Sequence, residues 1–192
     1  MTRRRYVMAT AIAASTFAAA FVAIAVADPF PRVIWNASAS APIGLYRIHA
    51  DSDPAIGTLV AVTPPERLAR WLSTRGYLPE GVPLLKHVAA KTGQRICRKG
   101  DVVSVEGHPV ASARARDGRG RPLPVWRGCR RLEPGQIFLL NPSVPDSLDG
   151  RYFGPLPASA VIGRATPLHL REPSQSPSTP EAKEINHADE YL

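Results

Sequence analysis

Hydrophobic and polar positions divide the chain into three unlike parts. Arg3, Arg4 and Arg5 precede a run, Tyr6–Ala27, that carries no charge and is rich in Ala, Val, Ile and Phe. As a helix that run spans about 33 Å, enough to cross a hydrocarbon core of roughly 30 Å. The arginines before it and Asp28 after it orient the span with its N-terminus in the cytoplasm. A cleaved signal sequence is the competing reading, because Ala25-Val26-Ala27 resembles an A-x-A cleavage site. The run exceeds the roughly 7–15 residues of a usual signal core, which favours an anchor over 1–27. On either reading the chain from Asp28 onward is exported.

After the apolar run the pattern shortens. Gly57–Val62 reads as a strand, and Leu68, Trp71 and Leu72 stand at helical spacing behind Pro64-Pro65. They predict a short helix from Pro64 to about Tyr77. Val82–Lys91 is a mostly apolar run holding Lys86 and His87, and strand-like runs return at Asp101–Val105, Gln136–Leu140 and within Ala158–Leu170. From Arg171 the chain is Pro, Ser, Glu and Lys without periodicity, which predicts a disordered tail over 171–192. With 20 prolines, 14 glycines and no long amphipathic pattern after residue 80, residues 28–170 read as one mostly β domain.

Charge and cysteine content narrow the picture. Net charge is +8. One basic cluster precedes the apolar run, and another (Arg114, Arg116, Arg119, Arg121, Arg127, Arg130, Arg131) lies in a Gly- and Pro-containing stretch. That second cluster fits a solvated loop or attraction to anionic lipid or an acidic partner. Aromatics are sparse and no nucleic-acid-binding pattern is present, so no nucleic-acid partner is expected. The only two cysteines, Cys97 and Cys129, read as a disulfide in an oxidising compartment rather than as a thiol nucleophile. The bridge would enclose a loop-rich insertion at about 97–131, with His108–Arg131 irregular. The histidines are scattered without ligand spacing, so neither metal nor cofactor is expected.

Candidate chemistry gathers in three segments. In Asn36-Ala37-Ser38-Ala39-Ser40-Ala41-Pro42-Ile43-Gly44-Leu45-Tyr46, an extended backbone would point Ser38 and Ser40 to one side. Pro42 stiffens the loop, and Gly44 allows a substrate or a tight bend to approach closely. Lys86 is flanked by apolar residues; on a buried strand its neutral amine is favoured, on an edge strand it faces solvent. Ser147, Asp149 and Arg151 alternate, so an extended segment would set them on one face, where Asp149 and Arg151 pair.

Taken in order behind an anchor, S-A-P-I-G-L-Y, L-L-K-H-V-A-A and S-L-D-G-R-Y-F-G-P resemble the signal peptidase superfamily of serine-lysine proteases over roughly residues 1–170. The single residue between Ser40 and Pro42, followed by Gly44-Leu45-Tyr46, is similar to its conjugative-transfer branch, the TraF-type peptidases that mature pilin. The resemblance implies Ser40 as nucleophile and Lys86 as general base. It implies that Ser38 and the Ser40 backbone N–H form an oxyanion hole, that Ser147 orients the lysine, and that Asp149 and Arg151 brace the site. It also implies an antiparallel β-sheet catalytic core with a small inserted subdomain, held at the bacterial inner membrane with its catalytic domain in the periplasm. The implied partners are inner-membrane lipid and an exported pilin precursor, released from the enzyme by water or by cyclisation. Gly150 departs from the pattern, since the family often carries a small hydroxyl residue there. General type I signal peptidase is the nearest alternative. A histidine-based hydrolase using His87 and a non-catalytic membrane-tethered β-module are the others.

Overall fold

The computed structural model describes residues 3–27 and 33–171. Helix α1 (Arg3–Ala27) covers the apolar run and is long and apolar enough to cross a bilayer, with none of its span buried against protein. The tail expected from 171 lies outside the described residues except for Arg171, whose N–H donates to the Ile43 carbonyl at 2.8 Å.

The rest is antiparallel β in two sheets. The larger uses β1 (Val33–Asn36), β2 (Gly44–His49), β3 (Leu59–Val62), β4 (Leu84–Lys91), β9 (Gln136–Leu140), β10 (Leu156–Pro157) and β11 (Val161–Leu170). Their order is β1-β2-β11-β3-β4-β9-β10. The smaller uses β5 (Arg95–Lys99), β6 (Val102–Val105), β7 (His108–Ser112) and β8 (Gly128–Arg131), ordered β7-β6-β5-β8. The stretch expected to be irregular between 108 and 131 therefore begins and ends in strands. Cys97 and Cys129 face each other in the β5–β8 register and form a disulfide.

Alternation explains the core. Tyr46 and Ile48 on β2 point inward with Ala61, Leu85 and Ala165, while Val60, Val62 and Val88 pack with Ile137 and Leu139 on the opposite face. Ala90, Phe138 and Leu140 of the large sheet join Ile96, Val103 and Val105 of the small one, so one apolar cluster welds the two sheets together. Helix α2 (Glu66–Thr74) starts after Pro65 as its sequence predicts, and buries Leu72. Gly44 earns its place through β11 rather than through a substrate. Its φ is +155°, and a Cβ there would meet the His169 carbonyl and stand 2.8 Å from the Leu170 Cα.

Candidate active site

Ser38 and Ser40 sit on the connection between β1 and β2, and that connection is a turn rather than the extended run expected. The cause is Asn36, buried at the end of β1. Its side-chain nitrogen donates to the carbonyls of Ser38 (2.9 Å), Ala41 (3.0 Å) and Pro42 (3.0 Å). Its oxygen accepts from the Ser38 N–H at 3.1 Å and the Ser38 hydroxyl at 2.9 Å. One amide thus curls the loop around itself. The Tyr46 hydroxyl adds a 2.6 Å bond to the Pro42 carbonyl. The turn still brings the two hydroxyls together, with Ser38 Oγ 3.0 Å from Ser40 Oγ.

Lys86 lies on β4 between β3 and β9, a central position, and is 2% exposed. The solvent-facing alternative is excluded. Its ammonium donates to Ser147 Oγ at 2.9 Å. Burial pulls the amine down to about 8; Asp149 opposes that fall and Arg151 adds to it. Ser38, Ser40 and Lys86 share the wall of a cavity of about 330 Å³, closed by Leu72, Leu84 and Leu148 among others.

Asp149 and Arg151 pair, whereas the Ser147 hydroxyl partners with Lys86, and the three do not share an extended face. Asp149 caps helix α3 (Gly150–Phe153), its carboxylate accepting from the Arg151 N–H at 3.1 Å. The Arg151 guanidinium pairs with that carboxylate at 2.8 Å, with both side chains almost fully buried. It also donates to the carbonyls of Asn141 (3.0 Å) and Val144 (2.7 Å), which fixes the loop leading to Ser147. Arg98 of the small sheet reaches across to the Arg151 carbonyl at 2.6 Å, and Trp126 Nε1 to that of Gly150 at 2.9 Å. The small sheet therefore braces α3.

The departure at Gly150 has a local reason. A Cβ there would stand 2.5 Å from the Phe138 ring and 2.7 Å from the Leu139 carbonyl oxygen. Phe138 occupies the room that a hydroxyl side chain would need.

His87 and Lys86 alternate to opposite sides of β4, as strand geometry requires, yet both reach the neighbourhood of Ser40. His87 lines a second cavity of about 660 Å³ that also contains Ser40, Pro42 and Asn141. Strand alternation alone would allow only one of the two near Ser40; both are near because Ser40 lines both cavities. Ser40 stands between the cavities.

Two residues at the site escaped sequence reasoning, Asn36 and Asn141. Asn141 is 1% exposed, and its amide donates to the carbonyls of Ser40 and Leu85 (3.0 Å to the latter). The available signal is an asparagine at the start of each of two serine-bearing segments, 36–46 and 141–151. Nothing in the spacing assigned either a partner.

The signal peptidase family model, peptidase S26, matches residues 3–169. The probable conjugal transfer protein TraF of Sinorhizobium fredii is 41% identical over 140 residues, covering 68% of this chain and 73% of its own length. The conjugal transfer protein TraF of Agrobacterium tumefaciens is 34% identical over 181 residues, covering 89% and 99% respectively. A solved signal peptidase I from Enterococcus faecalis shares 17% identity at a TM-score of 0.35, covering 59% of this chain and 97% of that one.

Proposed function

Since the chain belongs to the signal peptidase family, peptidase S26, we propose that it is a membrane-anchored serine endopeptidase with Ser40 as nucleophile and Lys86 as general base. The observation that carries this reading is the buried Lys86 amine, lowered to about 8 and sharing one cavity with Ser40. An exposed lysine stays protonated at neutral pH and accepts nothing; this one is neutral in an appreciable fraction of molecules.

The steps follow from the residues. Ser40 Oγ attacks the scissile carbonyl carbon as its proton passes to Lys86 Nζ. The Ser40 backbone N–H and the Ser38 hydroxyl then face the oxyanion. Collapse breaks the C–N bond as the leaving amine takes the proton from Lys86. Water then gives a proton to the neutral Lys86 amine as it attacks the ester carbonyl, and Lys86 returns that proton to Ser40 Oγ as the C–O bond breaks. Ser147 holds the lysine nitrogen, and Arg151, paired with Asp149, holds the Asn141–Val144 loop that leads to Ser147. The 2.9 Å bond from Lys86 goes to Ser147 in the free enzyme; substrate binding is the step that brings Ser40 Oγ within reach of the amine.

The substrate in this reading is an exported precursor, specifically the pilin precursor of a conjugative transfer system. The conjugal-transfer names of the relatives support that choice. Helix α1 holds the enzyme in the inner membrane, with three arginines on the cytoplasmic side and the catalytic domain in the periplasm. Ser40 then lies at most about 45 Å of extended chain from the end of α1, close to where an exported precursor leaves the bilayer.

Co-expression with the prepilin tests the reading. Mature pilin should form with the wild type and with His87→Ala, and should be absent with Ser40→Ala and Lys86→Ala at equal protein levels. Processing by Lys86→Ala would remove the lysine from the mechanism.

A further inference from the structure

We propose that Asn141 is a positioning residue that holds the backbone of the nucleophile in register with the backbone of the base; this rests on the roles proposed for Ser40 and Lys86. The inference comes from where β9 ends. Its ladder with β4 runs as far as the pair His87↔Leu140, and the next residue, Asn141, is 1% exposed. On β4, the Leu85 carbonyl and the His87 N–H flank Lys86 on that same edge.

The side chain of Asn141 takes over from the ladder. Its Nδ2 donates to the Leu85 carbonyl at 3.0 Å, and its Oδ1 lies 3.3 Å from the His87 backbone nitrogen. A primary amide thereby makes the two bonds that a strand residue would make to the segment holding the base. Nδ2 has a second hydrogen, and it goes to the Ser40 carbonyl. The same planar group therefore touches the peptide just before Lys86 and the peptide of the nucleophile.

The orientation of this amide is over-determined. Carbonyls only accept and a backbone N–H only donates, so Nδ2 must face Ser40 and Leu85 while Oδ1 faces His87. It follows that His87 Nδ1, 2.9 Å from Oδ1, carries a proton and donates it. Behind the side chain, the Asn141 N–H donates to Asp149 Oδ2 at 2.9 Å and its carbonyl accepts from Arg151 at 3.0 Å. Every polar group of Asn141 is engaged. Nucleophile, base and buried ion pair are all tied to this one residue.

The test uses the full-length chain with a synthetic precursor peptide, comparing wild type with Asn141→Leu and with Asn141→Ser, which frees room for water if the leucine variant does not fold. Displacing a reacting group by about 1 Å costs on the order of 10²-fold in rate. The expected result is a kcat loss of about that size, a KM within about threefold of wild type, and a pH midpoint still near that set by Lys86. A kcat close to wild type would overturn the proposal. So would a midpoint moving up toward that of a free lysine, which would mean that Asn141 only keeps the lysine buried. A readout independent of turnover is the ¹³C resonance of the Ser40 and Leu85 carbonyls: both should move in Asn141→Ser while that of Val60 stays. If wild type cleaves no precursor, the proposed function fails, and the two resonances alone decide whether the tie exists; their failure to move would end it.

Discussion

The Lys86 ammonium donates to the Ser147 hydroxyl at 2.9 Å, joining residues 61 positions apart, and Lys86 lines a cavity that Ser40 also lines. The bond does two things. It gives a buried cation a partner, and it leaves the lone pair that forms on deprotonation to be aimed by Ser147 rather than by chance. Because burial is the main cause of the lowered amine, activity and stability should both carry its signature.

Only the neutral amine accepts the Ser40 proton. The value of kcat/KM should rise about tenfold per pH unit below the Lys86 value of about 8 and level off above it. A plateau reached already at pH 6 would show a different base.

The same group sets a stability trend. Its folded value is about 8 against 10.5 when exposed, so between those limits the unfolded chain binds the extra proton and stability rises with pH. Below about 8 both states are charged and the full burden, roughly 3 kcal/mol, weighs on the fold. Lys86→Met should therefore be inactive yet more stable than wild type at pH 7, with the gain shrinking toward pH 10. Thermal unfolding at the two pH values reads this directly.

The Ser38 hydroxyl stands 3.0 Å from Ser40 Oγ and is fixed by Asn36. In the free protein that hydroxyl gives its proton to Asn36 Oδ1; turned toward the oxyanion it is a donor of the kind whose removal costs about 10²–10³ in kcat. Ser38→Ala should lose about that much with KM little changed, and Ser38→Thr should recover part of it. Equal loss in KM would instead assign Ser38 to substrate binding.

At Gly150 the expected result is steric. Gly150→Ser forces a Cβ against the Phe138 ring and the Leu139 carbonyl, a strain of about 1–3 kcal/mol. Phe138→Leu in the same chain should relieve only part of it, because the carbonyl remains. Urea midpoints of the two single variants and the double variant would show this as a non-additive pair.

Much of this site was legible in the sequence because its residues are chemically rare in their settings. A lysine inside an apolar run and two serines beside a proline announce themselves, and the apolar stretch behind three arginines predicts α1. The short helix after Pro64-Pro65 was legible for the same reason: Leu72 repeats at the right spacing. Other features depend on distant backbone. Asn36 and Asn141 act on carbonyls that only the folded chain brings near, so no local pattern names their partners. The spacing of two between Ser147, Asp149 and Arg151 fits a strand and predicts alternation. The signal that wins is Asp149 as a helix cap, reinforced by its buried bond to Arg151. In the insertion, β7 and β8 are the two edge strands, half-exposed or fully exposed and without an apolar alternation; β7 is held by β6, and β8 by β5 through the register that contains the Cys97–Cys129 bridge.

That bridge should matter to the small sheet before it matters to the chemistry. Cys97→Ser with Cys129→Ser should cost about 2–4 kcal/mol, lowering Tm while leaving the pH midpoint of the remaining activity unchanged. A shifted midpoint would mean that the brace from Arg98 to Arg151 carries strain from the small sheet to Lys86.

The most direct measurement is intact-mass spectrometry of the full-length chain, acid-quenched while it turns over a precursor peptide. An ester adduct of the expected acyl mass, mapped to Ser40 and absent from Ser40→Ala and Lys86→Ala, is the outcome that the serine-lysine mechanism requires. Peptide cleavage by the wild type with no adduct at Ser40, or an adduct that persists in Lys86→Ala at neutral pH, would contradict it.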